Sequence, residues 1–422
     1  MTLRELSLAK QHELRVEVLP DKKLTVGLRR GDAEIFGAQI GLGEKVTIHG
    51  QKIAIFTYGG CLLELDGDAE VMYTSEETPM EAYINVHNVF ENQRTKAQSN
   101  GGQGPRVMVV GPTDSGKSTL CRILINYALR LGWSPTFVDL DIGQGSIAPP
   151  GTIAATPVQL PVTVEDGYPL DVPLVFYFGH TTPVQNANLY KFQVERMATL
   201  LDRRANRHPT VAASGMLVNT MGWVEGLGYE LILHAIKALK VDNVLVVGQE
   251  RLHSQLESDL RQARNPRIQV LRLPKSGGVV TRSPETRRAD RASRVRDYFY
   301  GVPRTLMPHS ETIQSTELNI YRVGGGRQAQ SSIRPAGTAS LMNPLKITPV
   351  RVGNEISNCL LGVSHARTAE EILSVSVAGF IFIQRVDVRD DGEGTVTYLA
   401  PGPGSLPGRY LLLGSIEILN FT

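Results

Sequence analysis

Cysteine is scarce in this sequence: Cys61, Cys121 and Cys359 are the only three in 422 residues. They form no CxxC pair and no zinc-ligand spacing, and an odd count argues against a disulfide framework. A reducing compartment is the natural setting for such a chain. Long apolar runs are absent too; none approaches the roughly 18 residues that a helical membrane span needs. The opening stretch MTLRELSLAK has no apolar core of the secretion-signal type. Net charge is also lacking, because 44 basic residues face 42 acidic ones and leave only +2. No global basic field exists, so any contact with nucleic acid must come from local patches.

What is present describes a soluble globular protein: 41% hydrophobic and 20% charged residues. The length exceeds one ordinary core and predicts two to four domains. From Glu13 to about Thr74, short period-2 runs alternate with Gly, Asp and Pro, as in Gly59-Gly60 and Asp66-Gly67-Asp68. That spacing predicts an antiparallel β-sandwich or barrel, with residues 1–97 taken as a β-sandwich domain and a helix over 80–97. Gln98 to Pro105 has the composition of a flexible linker.

From residue 98 to 303 the pattern changes to short, wholly apolar runs separated by helical stretches. The runs are Val107–Val110, Thr136–Leu140, Leu174–Phe178, Gly215–Asn219, Asn243–Val247 and Gln269–Leu273. This alternation predicts a doubly wound parallel α/β sheet. Residues 304–422 return to strand-like runs and predict a small, mostly β domain with one helix near 366–373. A polar stretch from Gly324 to Ser340 reads as a mobile loop, and Asp390 to Gly394 as a hairpin turn.

The chemistry concentrates at Gly111-Pro112-Thr113-Asp114-Ser115-Gly116-Lys117-Ser118, a G-x-x-x-x-G-K-[ST] loop between a strand and a helix. Its backbone N–H groups, from Ser115 and Gly116 to the helix start, suit phosphate oxygens. Lys117 suits the β- and γ-phosphates of ATP, Ser118 a Mg²⁺ ion, and Thr119 the α-phosphate. Asp114 is out of place beside anions; its carboxylate should face outward or hold a metal-bound water. The next strand, taken as the neighbour of the phosphate-loop strand, ends in Asp139-Leu140-Asp141-Ile142-Gly143-Gln144. There Asp141 could receive the proton of an attacking hydroxyl or hold a hydrated Mg²⁺, with Asp139 facing away from it. Turn-capping carboxylates are the plainer alternative. Gln144 could touch the acceptor or a water.

Between Lys275 and Arg296 lie seven basic residues against two acidic ones. Ser283-Pro284-Glu285 predicts a helix start that places Arg287, Arg291 and Arg294 on one face. Such a flap, hinged near Gly277-Gly278, could neutralise a transferred phosphoryl group and exclude water. A solvated basic helix is the alternative. Trp223 follows a strand end and could stack on a base, or it could be a core residue. Thr181 and Thr182, leaving another strand end, could bind the acceptor or cap a turn.

The run GPRVMVVGPTDSGKSTLCRILINYALRLG, with VDLDIGQGS, FYFGHTTP, NTMGWVEGLGY and LPKSGGVVTRS, resembles the eukaryotic polyribonucleotide 5′-hydroxyl-kinase family. AEIFG and TPM near the beginning and SVAGFI near the end extend the likeness along nearly the whole chain. The family is associated with pre-mRNA 3′-end cleavage and the tRNA-splicing endonuclease. The resemblance implies a three-domain fold, an ATP- and Mg²⁺-dependent kinase, a 5′-hydroxyl RNA substrate and a nuclear location. It implies that Lys117 and Ser118 bind ATP and Mg²⁺, that Asp141 activates the RNA hydroxyl, and that Thr181 and Trp223 hold the RNA end. Arg287 and Arg291 would belong to the lid with Arg282 nearby, and Glu13 and Lys52 would reach the adenine. A nucleotide-bound scaffold with little turnover is the alternative reading. A GTPase is disfavoured by the lack of an [NT]KxD motif. Residues 262–267 look longer than in relatives.

Overall fold

A computed structural model describes residues 3–168, 173–263, 268–302, 305–323, 345–389, 393–419 and 421. The mobile loop read at 324–340, the turn centre at 390–392 and most of the long segment at 262–267 lie outside the described residues.

The first hundred residues build two facing antiparallel sheets. One has the order Arg4–Leu8, Cys61–Gly67, Lys23–Gly31, Lys45–His49, and the other Ala38–Gln39, Glu34–Ile35, Lys52–Phe56, Glu13–Glu17, Val71–Ser75. Alternation along each strand explains the sandwich. Leu14 and Val16 join Leu24, Val26, Ile53, Ile55, Leu63 and Leu65 in the core between the sheets. The intervening residues of the second sheet face outward, and that face leans on the central domain. Phe56 enters the central core, and Glu34 accepts hydrogen bonds from Tyr127 Oη (2.5 Å) and Arg130 Nη1 (2.7 Å).

Helix Met80–Asn100 connects the sandwich to the central domain. The predicted flexible linker at 98–105 is therefore a correction. Its first three residues complete the helix, Gly101 turns left-handed at φ +63°, and the Gly102 N–H donates to Ala97 O at 2.8 Å. Gln103 and Gly104 then both donate to Ala212 O. The linker composition is that of a helix stop tied down by its neighbours.

The central sheet runs Leu174–Tyr177, Thr152–Pro157, Thr136–Asp139, Met216–Asn219, Arg106–Val110, Asn243–Val247, Gln269–Leu273. Six strands share one direction, and only Thr152–Pro157 runs against its neighbours. That strand, Thr-Ile-Ala-Ala-Thr-Pro, was not foreseen. The doubly wound architecture holds, with one reversed strand. The strand bearing Asp139 is also not beside the phosphate-loop strand; Met216–Asn219 lies between them.

The C-terminal domain is a seven-stranded sheet in the order His309–Gln314, Gly394–Ala400, Val377–Val388, Cys359–Ser364, Tyr410–Glu417, Asn319–Arg322, Thr348–Pro349. Leu361, Ile381, Ile383, Val396 and Leu411 form its own core. The residues alternating with them, including Leu360, Phe382, Leu412 and Ile416, pack on the central body. The helix expected near 366–373 is reduced to a single 3-10 turn, Ala369–Glu371. Among the described residues no helix is long and apolar enough to cross a membrane.

Candidate active site

The phosphate loop leaves the buried strand Arg106–Val110 and enters helix Lys117–Arg130 through Gly116, whose φ of +91° favours glycine. No side chain caps this helix and its first turn carries no acid, so the donors at its amino end are open to an anion. Ser115 Oγ is buried with no hydrogen-bond partner among the described residues, which also fits a polar ligand in the loop. Lys117 is buried, and its Nζ donates to Gly111 O (3.0 Å) and Pro112 O (2.9 Å). Burial lowers its pKa, against the raising influence of Asp141 and Asp114. Ser118 is exposed and Thr119 half-buried at the helix start.

Asp141 lies in the turn after strand Thr136–Asp139. Its Oδ1 accepts from the backbone N–H groups of Gly143 and Gln144, both at 3.0 Å. That fixes the carboxylate and leaves Oδ2 without a hydrogen bond among the described residues. Asp139 does not face away from it, as strand alternation suggested. The strand ends at Asp139, and its Oδ1 accepts from the N–H of Asp141 itself (3.1 Å) and from Asn219 Nδ2 (3.0 Å). Its Oδ2 accepts from the Ser146 N–H at 2.7 Å. Burial, reinforced by the Asp141 charge, pushes Asp139 up to about 6. Burial also raises Asp141, opposed by the Lys117 ammonium.

The arginine segment forms helix Pro284–Tyr300, with Ser283 Oγ accepting from the Thr286 N–H. The carboxylate of Asp114 does not face outward. It is 4% exposed and accepts from the Arg282 N–H (2.9 Å), Arg282 Nε (3.3 Å) and Arg287 Nη2 (2.6 Å). Arg282 also reaches Asp290 (3.1 Å). Gln144 Nε2 donates to Arg287 O at 3.4 Å, linking the Asp141 turn to the same helix. Arg291 makes no salt bridge among the described residues; burial and the neighbouring charges of Arg288 and Arg287 lower its pKa. An acid inside an anion-binding loop, in a chain with an arginine cluster, was the signal that could have revealed this pairing.

Trp223 is 37% exposed and half-seated on the start of helix Leu227–Ala238, where its ring lies against Gly228. Thr181 is exposed, with its carbonyl beside Gly143 of the Asp141 turn. Thr182 precedes a 3-10 turn, and its hydroxyl makes no cap bond to it. The loop carrying both threonines is pinned from outside the domain. The Ser415 N–H donates to Gly179 O at 2.6 Å, and Ser415 Oγ meets His180 Nδ1 at 2.7 Å. Nothing in the sequence pattern marks Ser415, which is one residue of an ordinary strand.

Glu13 and Lys52 are not brought together. Glu13 pairs across the ladder with Phe56 and Lys52 with Glu17, four residues or about 13 Å along the strand. Glu13 is buried on Arg15 Nε (2.6 Å) and Thr78 Oγ1 (2.8 Å), while exposed Lys52 donates to Glu17 (2.6 Å). Arg15, which the sequence did not single out, lies against Gly277 and Gly278, upstream of helix Pro284–Tyr300.

Three family models match consecutive parts of the chain. They are the N-terminal β-sandwich domain of polyadenylation factor (residues 7–97), the mRNA cleavage and polyadenylation factor CLP1 P-loop (111–301) and the pre-mRNA cleavage complex II protein Clp1 (306–419). The chain is 44% identical over 99% of its length to a "Protein CLP1 homolog" of Arabidopsis thaliana, covering 95% of that protein. It is 42% identical over 98% of its length to the "Polyribonucleotide 5'-hydroxyl-kinase Clp1" of Homo sapiens, covering 96% of it. Two solved structures share the fold. One is a wild-type Clp1p–Pcf11p complex (TM-score 0.83, 23% identity, 99% of this chain and 98% of that one). The other describes an extended Pcf11p–Clp1p interface (TM-score 0.85, 22% identity, 99% of each).

Proposed function

The chain belongs to the Clp1 family, and on that premise we propose that it is an ATP-dependent kinase of RNA 5′-hydroxyl ends. The observation that carries the reading is the meeting of three elements: the phosphate loop, the Asp141 turn and the arginine helix. Lys117 stands in the phosphate loop, the Asp141 turn contacts the lid through Gln144, and the lid docks on the loop through Asp114. A nucleotide-binding site alone needs only the first of these.

ATP supplies the phosphoryl group, held at the open amino end of helix Lys117–Arg130, with Ser118 the residue suited to hold Mg²⁺. Lys117 turns from the Gly111 and Pro112 carbonyls to the phosphates. Asp141 keeps Oδ1 on its two backbone donors and accepts the proton of the RNA 5′-hydroxyl on Oδ2. The lid arginines, Arg282, Arg287 and Arg291, balance charge on the phosphoryl oxygens and shield the site from water. Gln144, Thr181 and Thr182 line the approach of the RNA end, and Trp223 offers its exposed ring to a base. Glu13 and Lys52 lie on the sandwich face turned to the central domain, where either could meet the adenine. The 13 Å between them leaves no single contact point for both.

Processing of mRNA 3′ ends, tRNA splicing, association with cleavage-factor and splicing-endonuclease subunits, and a nuclear location belong to the same proposal by kinship. The domains are read as 1–97, 98–303 and 304–422.

Incubation with γ-labelled ATP, Mg²⁺ and a 5′-hydroxyl oligoribonucleotide should place label on the 5′ end. Folded protein that binds ATP yet transfers no label would leave the scaffold reading standing instead. Trp223→Ala is expected to raise KM for RNA by about 5–150-fold, since a stacked base is worth about 1–3 kcal/mol, with kcat nearly unchanged. Steady-state kinetics with oligoribonucleotides would show this. An unchanged KM would place the ring outside the RNA path.

A further inference from the structure

Asp114 sits where a phosphate-binding loop should not want a carboxylate, and its backbone is left-handed at φ +54°. A non-glycine residue there costs conformational energy that the surroundings must offset. The offset is visible. The side chain is 4% exposed and satisfied by three donors from two arginines of the lid. One donor is the backbone N–H of Arg282, so the chain itself, and not only a flexible side chain, is held.

The arginines are not used up by this contact. Arg287 gives Nη2 to Asp114, while its Nε is buried with no hydrogen-bond partner among the described residues. Both Lys117 and Asp141 interact electrostatically with Arg282, and Lys117 does so with Asp114 as well. The lid, the phosphate-loop lysine and the strand-end acid therefore share one small volume. Val279, just upstream on the same segment, places its Cγ2 3.2 Å from where a Cβ on Gly116 would lie.

We infer that Asp114 is a positioning residue that docks the lid on the phosphate loop and so holds the Arg287 guanidinium ready for the transferred phosphoryl group. A guanidinium held at one edge by a buried carboxylate loses rotamer freedom before the nucleotide arrives, so less entropy is lost in forming the transition state. The contact makes an acid in the loop useful: it attracts the lid, while the phosphates are met by backbone N–H groups, Lys117 and the remaining arginine donors.

This inference rests on the kinase reading for its kinetic half only. In the full chain, amide hydrogen exchange over residues 279–291 reads docking without any turnover. Asp114→Ala should speed exchange there at least about tenfold, with the sandwich and the C-terminal sheet unchanged. Asp114→Asn, which keeps an acceptor for Arg282 N–H, should give a smaller change. In single-turnover transfer to a 5′-hydroxyl oligoribonucleotide, Asp114→Ala should lower the rate at least about tenfold with little change in RNA KM. The double variant with Arg287→Ala should be no slower than Arg287→Ala alone, within about twofold. Multiplicative losses, unchanged lid exchange, or a faster Asp114→Ala enzyme would each overturn the inference. If the wild-type protein transfers no phosphate, the kinase reading fails, and the exchange measurement still judges the docking.

Discussion

Asp141→Asn is expected to slow phosphoryl transfer to RNA by about 10²–10⁴-fold, the usual contribution of a positioned general base. That is about 2.7–5.4 kcal/mol of barrier. The substitution is a sharp probe because of how the carboxylate is held. Asn keeps an oxygen for the N–H groups of Gly143 and Gln144, so the turn survives. What is lost is the free Oδ2 and the negative charge that answers Lys117. Nucleotide affinity should therefore move by no more than about threefold, read by fluorescence titration with an ATP analogue. Single-turnover labelling gives the rate. A variant retaining more than about a tenth of wild-type transfer would remove Asp141 from the base role and leave it as a turn-former.

As the proposed base, the same carboxylate is expected to set the acid side of the pH profile. Burial raises Asp141 above its ordinary value, and Asp139, pushed up to about 6, lies hydrogen-bonded to the Asp141 backbone. The Asp141 charge adds to burial in raising Asp139. A base works only when ionised, so activity is present above the raised pKa and is lost as pH falls through it. The acid limb should therefore lie above the ordinary carboxylate range near 4. It should disappear in Asp141→Asn, whose residual rate has no base to protonate.

How much of this was legible beforehand divides by the range of the interactions. The phosphate loop and the strand-end acid are local patterns, and the helix start at Ser283 is fixed by three consecutive residues. The structure forms that start with the foreseen cap, Ser283 Oγ to the Thr286 N–H. Sheet order is not local. The insertion of Met216–Asn219 between the two functional strands depends on which helices cover which face, and no residue in either strand encodes it. The same applies to the docking partners of the site. Asp114 meets residues 168 and 173 positions away, and Gly179 meets Ser415 at a separation of 236. Such pairs leave only weak traces in a single sequence, such as a misplaced acid or an unremarkable serine. The kinship with RNA 5′-kinases carried the acceptor assignment, because 2′-hydroxyl and base contacts are set by placement in space.

Gly222→Ala should lower kcat/KM for phosphoryl transfer by about 100-fold although it touches neither ATP nor RNA chemistry. Gly222 follows strand Met216–Asn219, whose neighbour Thr220 is anchored by its hydroxyl on Val109 O at 2.8 Å. A Cβ at position 222 would lie 2.4 Å from Thr113 Oγ1 and 2.5 Å from both Thr113 Cα and N. Two of those atoms are phosphate-loop backbone, so a side-chain rotation cannot relieve the overlap. Gly222 does not occupy the left-handed region, so alanine is conformationally acceptable and the effect is purely steric. Separating the atoms to ordinary contact moves the loop by about 1 Å, and a misplacement of that size costs about 10²-fold in well-aligned sites. Overpacking costs about 1–3 kcal/mol of stability, which a three-domain chain with intact outer sheets should survive. Gly402→Ala, with nothing within 4 Å of its added Cβ, is the matched control and should transfer like wild type. If Gly222→Ala binds ATP and labels RNA within about twofold of that control, the phosphate loop is not braced by the 219–223 segment. Its geometry would then have to come from Gly116, Val279 and the lid alone.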